Sequence, residues 1–283
     1  MAGAYWKQVH ATGLAVPSDR PLDDLTAELT RMLGDADPET RDGTAYPTLA
    51  TWVDRGVYDD LLPGLGDGMA AGLGVGLGER DTDSVFRRSF SALILGECIG
   101  RDNVRPLVAP GKILEWGDRL ATWLLRERDL RGFVPGKGWA HAVAHGADAL
   151  ATLAESPHVA APELTVILDV IADRLVLPVD RLFTNGEPDR LALTTMTVLR
   201  RNVLSLQVIE PWIARLTAAA AARSGYDDRD PFLVGGNAEA FLRSLYLQVA
   251  HGPRPPLVRP DLLLVLVDAL RAANPHYLRV DPR

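Results

Sequence analysis

One cysteine in 283 residues excludes an internal disulfide framework and any zinc or iron–sulfur site built from several thiolates. That residue, Cys98, sits in the apolar run SALILGECIG, the setting of a buried inert thiol rather than a nucleophile. A basic surplus is also missing. Thirty Lys and Arg face 37 Asp and Glu, a net charge of -7, so there is no broad basic face to neutralise a nucleic-acid backbone. The pairs Arg87-Arg88 and Arg200-Arg201 read as solvated charge on helix surfaces. Long apolar runs are absent: residues 68–78 are about half glycine, and Leu262–Val267 is far too short to span a bilayer. The opening MAGAYWKQVH has no basic segment followed by an apolar stretch, so it does not read as a secretory leader. The expectation is a cytoplasmic protein with neither membrane nor nucleic acid among its partners.

Strand signals are scarce as well. No period-two run of β-branched residues is flanked by hairpin turns; Leu175–Leu182 comes nearest, and Pro178 interrupts it. Nucleotide signatures fail too. Gly72–Gly78 is glycine-rich, but Leu77 stands where the dinucleotide fingerprint needs glycine, and no strand precedes it. No Walker A sequence, GxSxG elbow or Ser/His/Asp order is present, so no nucleotide cofactor is expected. A close-packed or flexible helix edge is the better reading of those glycines.

What remains is helical periodicity. It predicts helices near 21–33, 47–55, 57–77, 82–100, 111–127, 138–155, 161–176, 187–203, 206–223, 237–250 and 259–273. Asp81 or Thr82 is expected to cap the helix entering Val85, and Pro162 suits a first helical turn. Helix starts near 111, 161, 206 and 259 recur every 45 to 53 residues, each interval holding two helices. That period suits HEAT- or armadillo-like helix-pair repeats coiled into an α-α superhelix, with a closed α/α toroid as the alternative. The loop at 224–236 is the best linker candidate, but it is too short to divide the chain. A single all-helical domain over residues 1–283 is expected.

The chemistry concentrates in RGFVPGKGWAHAVAHGAD, residues 131–148. On a helix over 138–155, Trp139, Val143, Gly146, Leu150 and Leu153 form an apolar stripe, while His141, His145 and Asp148 cluster opposite within about 60°. Three readings are open. The trio ligates a divalent metal, since His at i and i+4 is a spacing zinc uses on helices, although Ala142 excludes the HExxH base. Alternatively the imidazoles act as acid/base groups or bind an anion, with Asp148 orienting His145. Or they are structural. Lys137, one of only three lysines, precedes the helix start, and with Arg131 it suggests a clamp for phosphate or carboxylate. Ordinary glycine-turn loop chemistry explains the same residues equally well. Phe86, Phe90 and Leu93 form a second stripe that Glu97 continues, and a carboxylate there needs a partner from another element if it is buried.

Two stretches resemble a bacterial family designated domain of unknown function number 2785. One is Thr82-Asp83-Ser84-Val85-Phe86-Arg87-Arg88-Ser89-Phe90-Ser91-Ala92-Leu93. The other is Glu127-Arg128-Asp129-Leu130-Arg131-Gly132-Phe133-Val134, continuing from Lys137 through Trp139, His141 and His145 to Asp148. The resemblance implies an all-helical fold and marks Asp83, Arg88, Ser89, Asp129, Arg131, Lys137, Trp139, His141, His145 and Asp148 as site candidates. It implies no reaction. The expected function is binding of a small polar or anionic ligand in a groove. There His141, His145 and Asp148 supply acid/base or metal-assisted chemistry, and Lys137, Arg131, Trp139, Asp129 and Arg88 hold the ligand. The alternative is a protein–protein adaptor without catalysis.

Overall fold

The computed structural model describes residues 2–222 and 230–278, whose regular secondary structure is helical apart from one short hairpin. The helices gather into two compact units, Met1–His158 and Val159–Arg283. Of the linker candidate at 224–236, residues 224–229 lie outside the described residues, and from Pro231 onward it is helix.

The first unit begins with α1 (Ala2–Ala11) and α2 (Leu22–Met32). A short turn α3 (Pro38–Thr40) follows, running into a π-helical turn over Arg41–Ala45 and then α4 (Tyr46–Asp54). The sequence expectation contained neither α1 nor the 38–45 segment. α5 (Leu62–Gly72), α6 (Ser84–Val104) and α7 (Pro110–Arg126) come next, then the two-residue strands β1 (Phe133–Val134) and β2 (Gly138–Trp139), then α8 (Ala142–Ala154). Amphipathic spacing explains α7: Ile113, Trp116, Gly117, Leu120, Trp123 and Leu124 are buried along one stripe, and Pro110 opens the first turn.

α6 is the axis of this unit and packs against α4, α5 and α8. Glycines set how closely its neighbours approach. A Cβ on Gly72 would lie 2.2 Å from Ser91 Oγ, and one on Gly96 would lie 3.3 Å from the Ala149 backbone. The glycine-rich segment is therefore the close-packed end of α5 and the turn after it. The N-cap of α6 is Asp83 rather than Asp81 or Thr82, and it makes no side-chain capping bond because its carboxylate pairs with Lys137.

The second unit contains α9 (Ala161–Val176), α10 (Glu187–Arg200), α11 (Leu206–Ala221), α12 (Pro231–His251) and α13 (Arg259–Ala273). Helices two apart pack together, α9 on α11, α10 on α12 and α11 on α13, as do the sequential neighbours α11–α12 and α12–α13. Asn237 lies inside α12, which starts at Pro231 rather than near 237. Its buried side-chain oxygen accepts the Phe183 amide at 2.8 Å and pins the loop after α9. No helix among the described residues is long and apolar enough to cross a membrane.

Candidate functional site

The segment from Glu127 to His145 does not begin as helix. Gly136 and Gly138, at φ +74° and +78°, let the chain turn back, so that Phe133 pairs with Trp139 and Val134 with Gly138. The hairpin then fixes the helix entry: the Ala140 amide donates to Gly132 O at 2.8 Å and the His141 amide to Arg131 O at 3.1 Å. His141 turns the corner at φ +47°, ψ +35°, a left-handed conformation that is uncommon and costly outside glycine. It is the N-cap of α8, whose first turn is closed by the His145 amide donating to His141 O at 2.9 Å.

This overturns the wheel that placed Trp139 in the buried stripe and the histidines on an open face. Trp139 lies on β2, 41% exposed, next to Phe133 at 52%. Val143, Gly146, Leu150 and Leu153 do form a buried stripe facing α7, where Gly146 meets Leu124 and Trp123 and Gly117 meets Leu153. The opposite side of α8 is covered by α6: Phe90 touches His145, Gly96 touches Ala149, and Gly100 touches Thr152. His145 is consequently only 8% exposed, whereas His141 and Asp148 are half-buried.

The rings form a ladder. Phe133 meets Trp139 edge-on at 5.0 Å, and Trp139 stacks on His141 at 4.3 Å with 19° between planes. His141 meets His145 at 5.8 Å, His145 meets Phe90 at 5.1 Å, and Phe90 meets Tyr46 at 6.1 Å, all near perpendicular. The Tyr46 hydroxyl donates to Glu97 Oε1 at 3.0 Å. A continuous run of π faces thus leads from exposed Phe133 to half-buried Glu97, the stripe residue whose partner the sequence left open. Burial raises the Glu97 carboxyl above the usual glutamate range, and the Tyr46 bond opposes it.

The π-helical turn holds this ladder from behind. Arg41 is fully buried, its guanidinium 4.0 Å above the Phe86 ring and 5.0 Å above Phe90. It donates to Lys137 O at 2.6 Å, to Asp42 Oδ2 at 2.7 Å and to Asp35 O at 2.6 Å. Burial lowers the affinity of Arg41 for its proton and raises the Asp42 carboxyl, while the ion pair works against both. Arg41 and Tyr46 carried no sequence signal: a lone Arg and a lone Tyr lie in a segment too short and too Gly- and Asp-rich for periodicity to register.

The expected cationic clamp is differently disposed. Lys137 Nζ bonds both oxygens of Asp83 at 2.7 and 2.8 Å, which ties the hairpin to the start of α6. Arg131 grips Asp129 through Nε at 2.8 Å and Nη2 at 2.6 Å, and also donates to Thr82 O; that grip strengthens its hold on its proton. Arg88, expected as a ligand contact or as solvated charge, is fully buried. Its Nε and Nη2 bond the Glu127 carboxylate at 2.6 and 2.9 Å, and Nη1 donates to Val75 O, Gly76 O and Ser84 Oγ. Arg87 is not simply solvated either, since it donates to Thr30 O and burial lowers its affinity for its proton. Ser89 is buried on α6 and donates to Phe86 O at 3.4 Å.

Among the described residues, no three His, Cys, Asp or Glu side chains are grouped to hold a metal ion. Cys98 is buried and its thiol is pushed well up by burial, as its apolar run implies. The chain belongs to the family described as Protein of unknown function (DUF2785), whose sequence pattern matches residues 73–247 and so includes α6, the hairpin and α8. No curated protein and no solved structure matches the chain.

Proposed function

We propose, with membership of this family as the premise, that the first unit binds a small polar ligand with a flat ring at Phe133, Trp139 and His141. His141 and His145 would then exchange protons with it. One observation carries this reading: His141 is held in a strained left-handed conformation with its ring stacked on an exposed tryptophan. Strain of this kind persists where the surroundings enforce it, and it clusters at sites of function. An exposed aromatic pair beside two imidazoles suits stacking and proton transfer at one place.

In this reading Asp148 orients the imidazoles. Lys137, Arg131 and Asp129 brace the loop, because their charges are already paired with one another or with Asp83. The chemistry needs no metal at the trio. The helix-pair spacing persists in starts at Pro110, Ala161, Leu206 and Arg259, and the packing of alternate helices in the second unit favours a repeat architecture of the α-α superhelix kind. A bacterial cytoplasmic setting fits the lone free cysteine.

The test is a ligand screen by thermal shift and by tryptophan fluorescence on wild type, Trp139→Ala and His141→Ala. A compound that raises the wild-type Tm and fails to raise that of either variant supports the site. If every hit survives both substitutions while the variants merely melt earlier, the histidines are structural. A second reading, a protein–protein adaptor, is favoured by a shallow apolar groove of about 370 Å³ between α2 and α5, lined by Leu22, Ala27, Tyr58, Leu61, Leu65 and Met69.

A further inference from the structure

A cleft of about 460 Å³ opens in the first unit between α1, α2 and the segment from Asp35 to the π-helical turn. It lies ahead of residues 73–247 and shares no residue with the ladder of rings. Its walls are fixed from behind. The Trp6 indole donates to Glu28 Oε1 at 2.9 Å, tying the turn of α1 that carries Lys7 to the turn of α2 before Arg31. Asp37 caps α3 by accepting the Thr40 amide at 3.0 Å, and Arg41 donates to Asp35 O at 2.6 Å, so the third wall, with Asp35 and Glu39, is held as well. Gly43 leaves room for the Glu39 carboxylate, because a Cβ there would lie 3.0 Å from Oε2.

The charges lining this cleft are of both signs. Glu28 is balanced by Arg20, which donates to Oε2 at 2.7 Å, and it also senses Arg31. Lys7 and Arg31 on the helices, and Asp35 and Glu39 on the third wall, form no ion pair among the described residues. Arg31 Nε reaches only Ala27 O at 3.4 Å, and Asp35 Oδ1 accepts the Asp37 amide at 2.9 Å. Arg41 also senses Asp35, but it is fully buried behind the wall and paired with Asp42. Two cations and two carboxylates therefore line one concavity with every N···O separation beyond 4.0 Å. A ligand of one sign would meet a repelling pair there. One that carries both signs at separated ends would neutralise both pairs. The volume is that of a site for a ligand larger than one small amino acid, and each added residue lengthens a peptide by about 3.3–3.6 Å. Trp6 and Met32 supply the apolar part of the lining.

We infer that this cleft is a binding site for a short peptide with free termini, its carboxylate on Lys7 and Arg31 and its ammonium on Glu39 and Asp35. The assignment is independent of the ring-binding site at Trp139 and stands or falls without it.

The experiment separates the two charges with dialanine, N-acetyl dialanine (no ammonium), dialanine amide (no carboxylate) and alanine, the shorter zwitterion. Binding to the full chain is read by calorimetry and by ligand-observed NMR, in wild type, Lys7→Met and Glu39→Gln. Both positions are exposed, so the variants are expected to fold, as their melts would check. Wild type should bind dialanine more tightly than the other three probes. Glu39→Gln should weaken dialanine and its amide roughly fivefold and leave N-acetyl dialanine unchanged. Lys7→Met should weaken dialanine and N-acetyl dialanine by a similar factor and leave the amide unchanged. No dialanine binding at millimolar concentration overturns the inference, as does a capped probe or alanine that binds as tightly as dialanine. It also falls if either variant leaves the dialanine affinity untouched, or weakens all probes alike, since the charges would then not be reading the termini.

Discussion

The two ends of the segment from Glu127 to His145 are built on opposite principles. At the first end, a bidentate Arg88–Glu127 pair is buried with its surrounding donors and acceptors satisfied: the Trp123 indole and the Arg128 and Asp129 amides all donate to Glu127. At the other end, Phe133 and Trp139 stand in solvent and His141 carries backbone strain. The buried ion pair holds the costlier groups and is structural, whereas the exposed, strained end is the better functional candidate. A charged residue in a distinctive motif is thus no guide to ligand contact until its burial and partners are known.

The comparison breaks most readily at Glu127. Glu127→Ala strands a buried guanidinium, and the expected loss is about 3–5 kcal/mol, read from urea unfolding. A loss under about 1 kcal/mol would mean water or another acceptor takes over, and the first end would not be the anchor described. Gly138→Ala comes next. The new Cβ would sit at φ +78°, 3.2 Å from both Arg41 Nη2 and Pro38 Cβ, so a cost of about 1–2 kcal/mol is expected. Chemical denaturation checks it, and an unchanged midpoint would show that the hairpin is not seated on Arg41.

At the strained corner the sign reverses. His141→Gly should be about 1 kcal/mol more stable than His141→Ala, since only glycine adopts the left-handed conformation at little cost. Equal stabilities would mean that the corner at His141 stores no strain. The smallest effect is a pH dependence at Glu97. Its folded carboxyl holds its proton to higher pH than the unfolded one, so the folded state binds more protons between those two values. Wild-type stability therefore falls as pH rises through that window, starting at the ordinary glutamate value. Glu97→Gln should lose this slope, gaining on wild type at neutral pH and not at acidic pH, as paired melts would reveal. An identical slope in both proteins would place Glu97 in water.

Helix content was legible because burial here obeys periodicity: the buried stripe of α7 and the span of α9 can be read directly from spacing. Residues 138–141 were not, since an amphipathic pattern can be satisfied by a hairpin that delivers its aromatic residues outward before the helix begins. The expected helix over 138–155 begins only at Ala142, because Gly138 and Trp139 belong to the hairpin and His141 turns the corner between the two. Arg41 and Tyr46 were invisible for another reason. Their importance arises from contacts to Phe90, Lys137 and Glu97, distant in sequence, which no local pattern encodes.

The corner at His141 also acts as a gear between two parts of the chain. Residues added at the exposed tip, Pro135 and Gly136, would lengthen the hairpin without disturbing the bonds at Gly132 and Arg131 that set the corner. One residue added between His141 and His145 would instead turn everything behind it by about 100° relative to what lies beyond. The imidazole that now rests on Trp139 would swing away from the one that rests on Phe90. Length variation among relatives should therefore gather at the tip and avoid the first turn of α8.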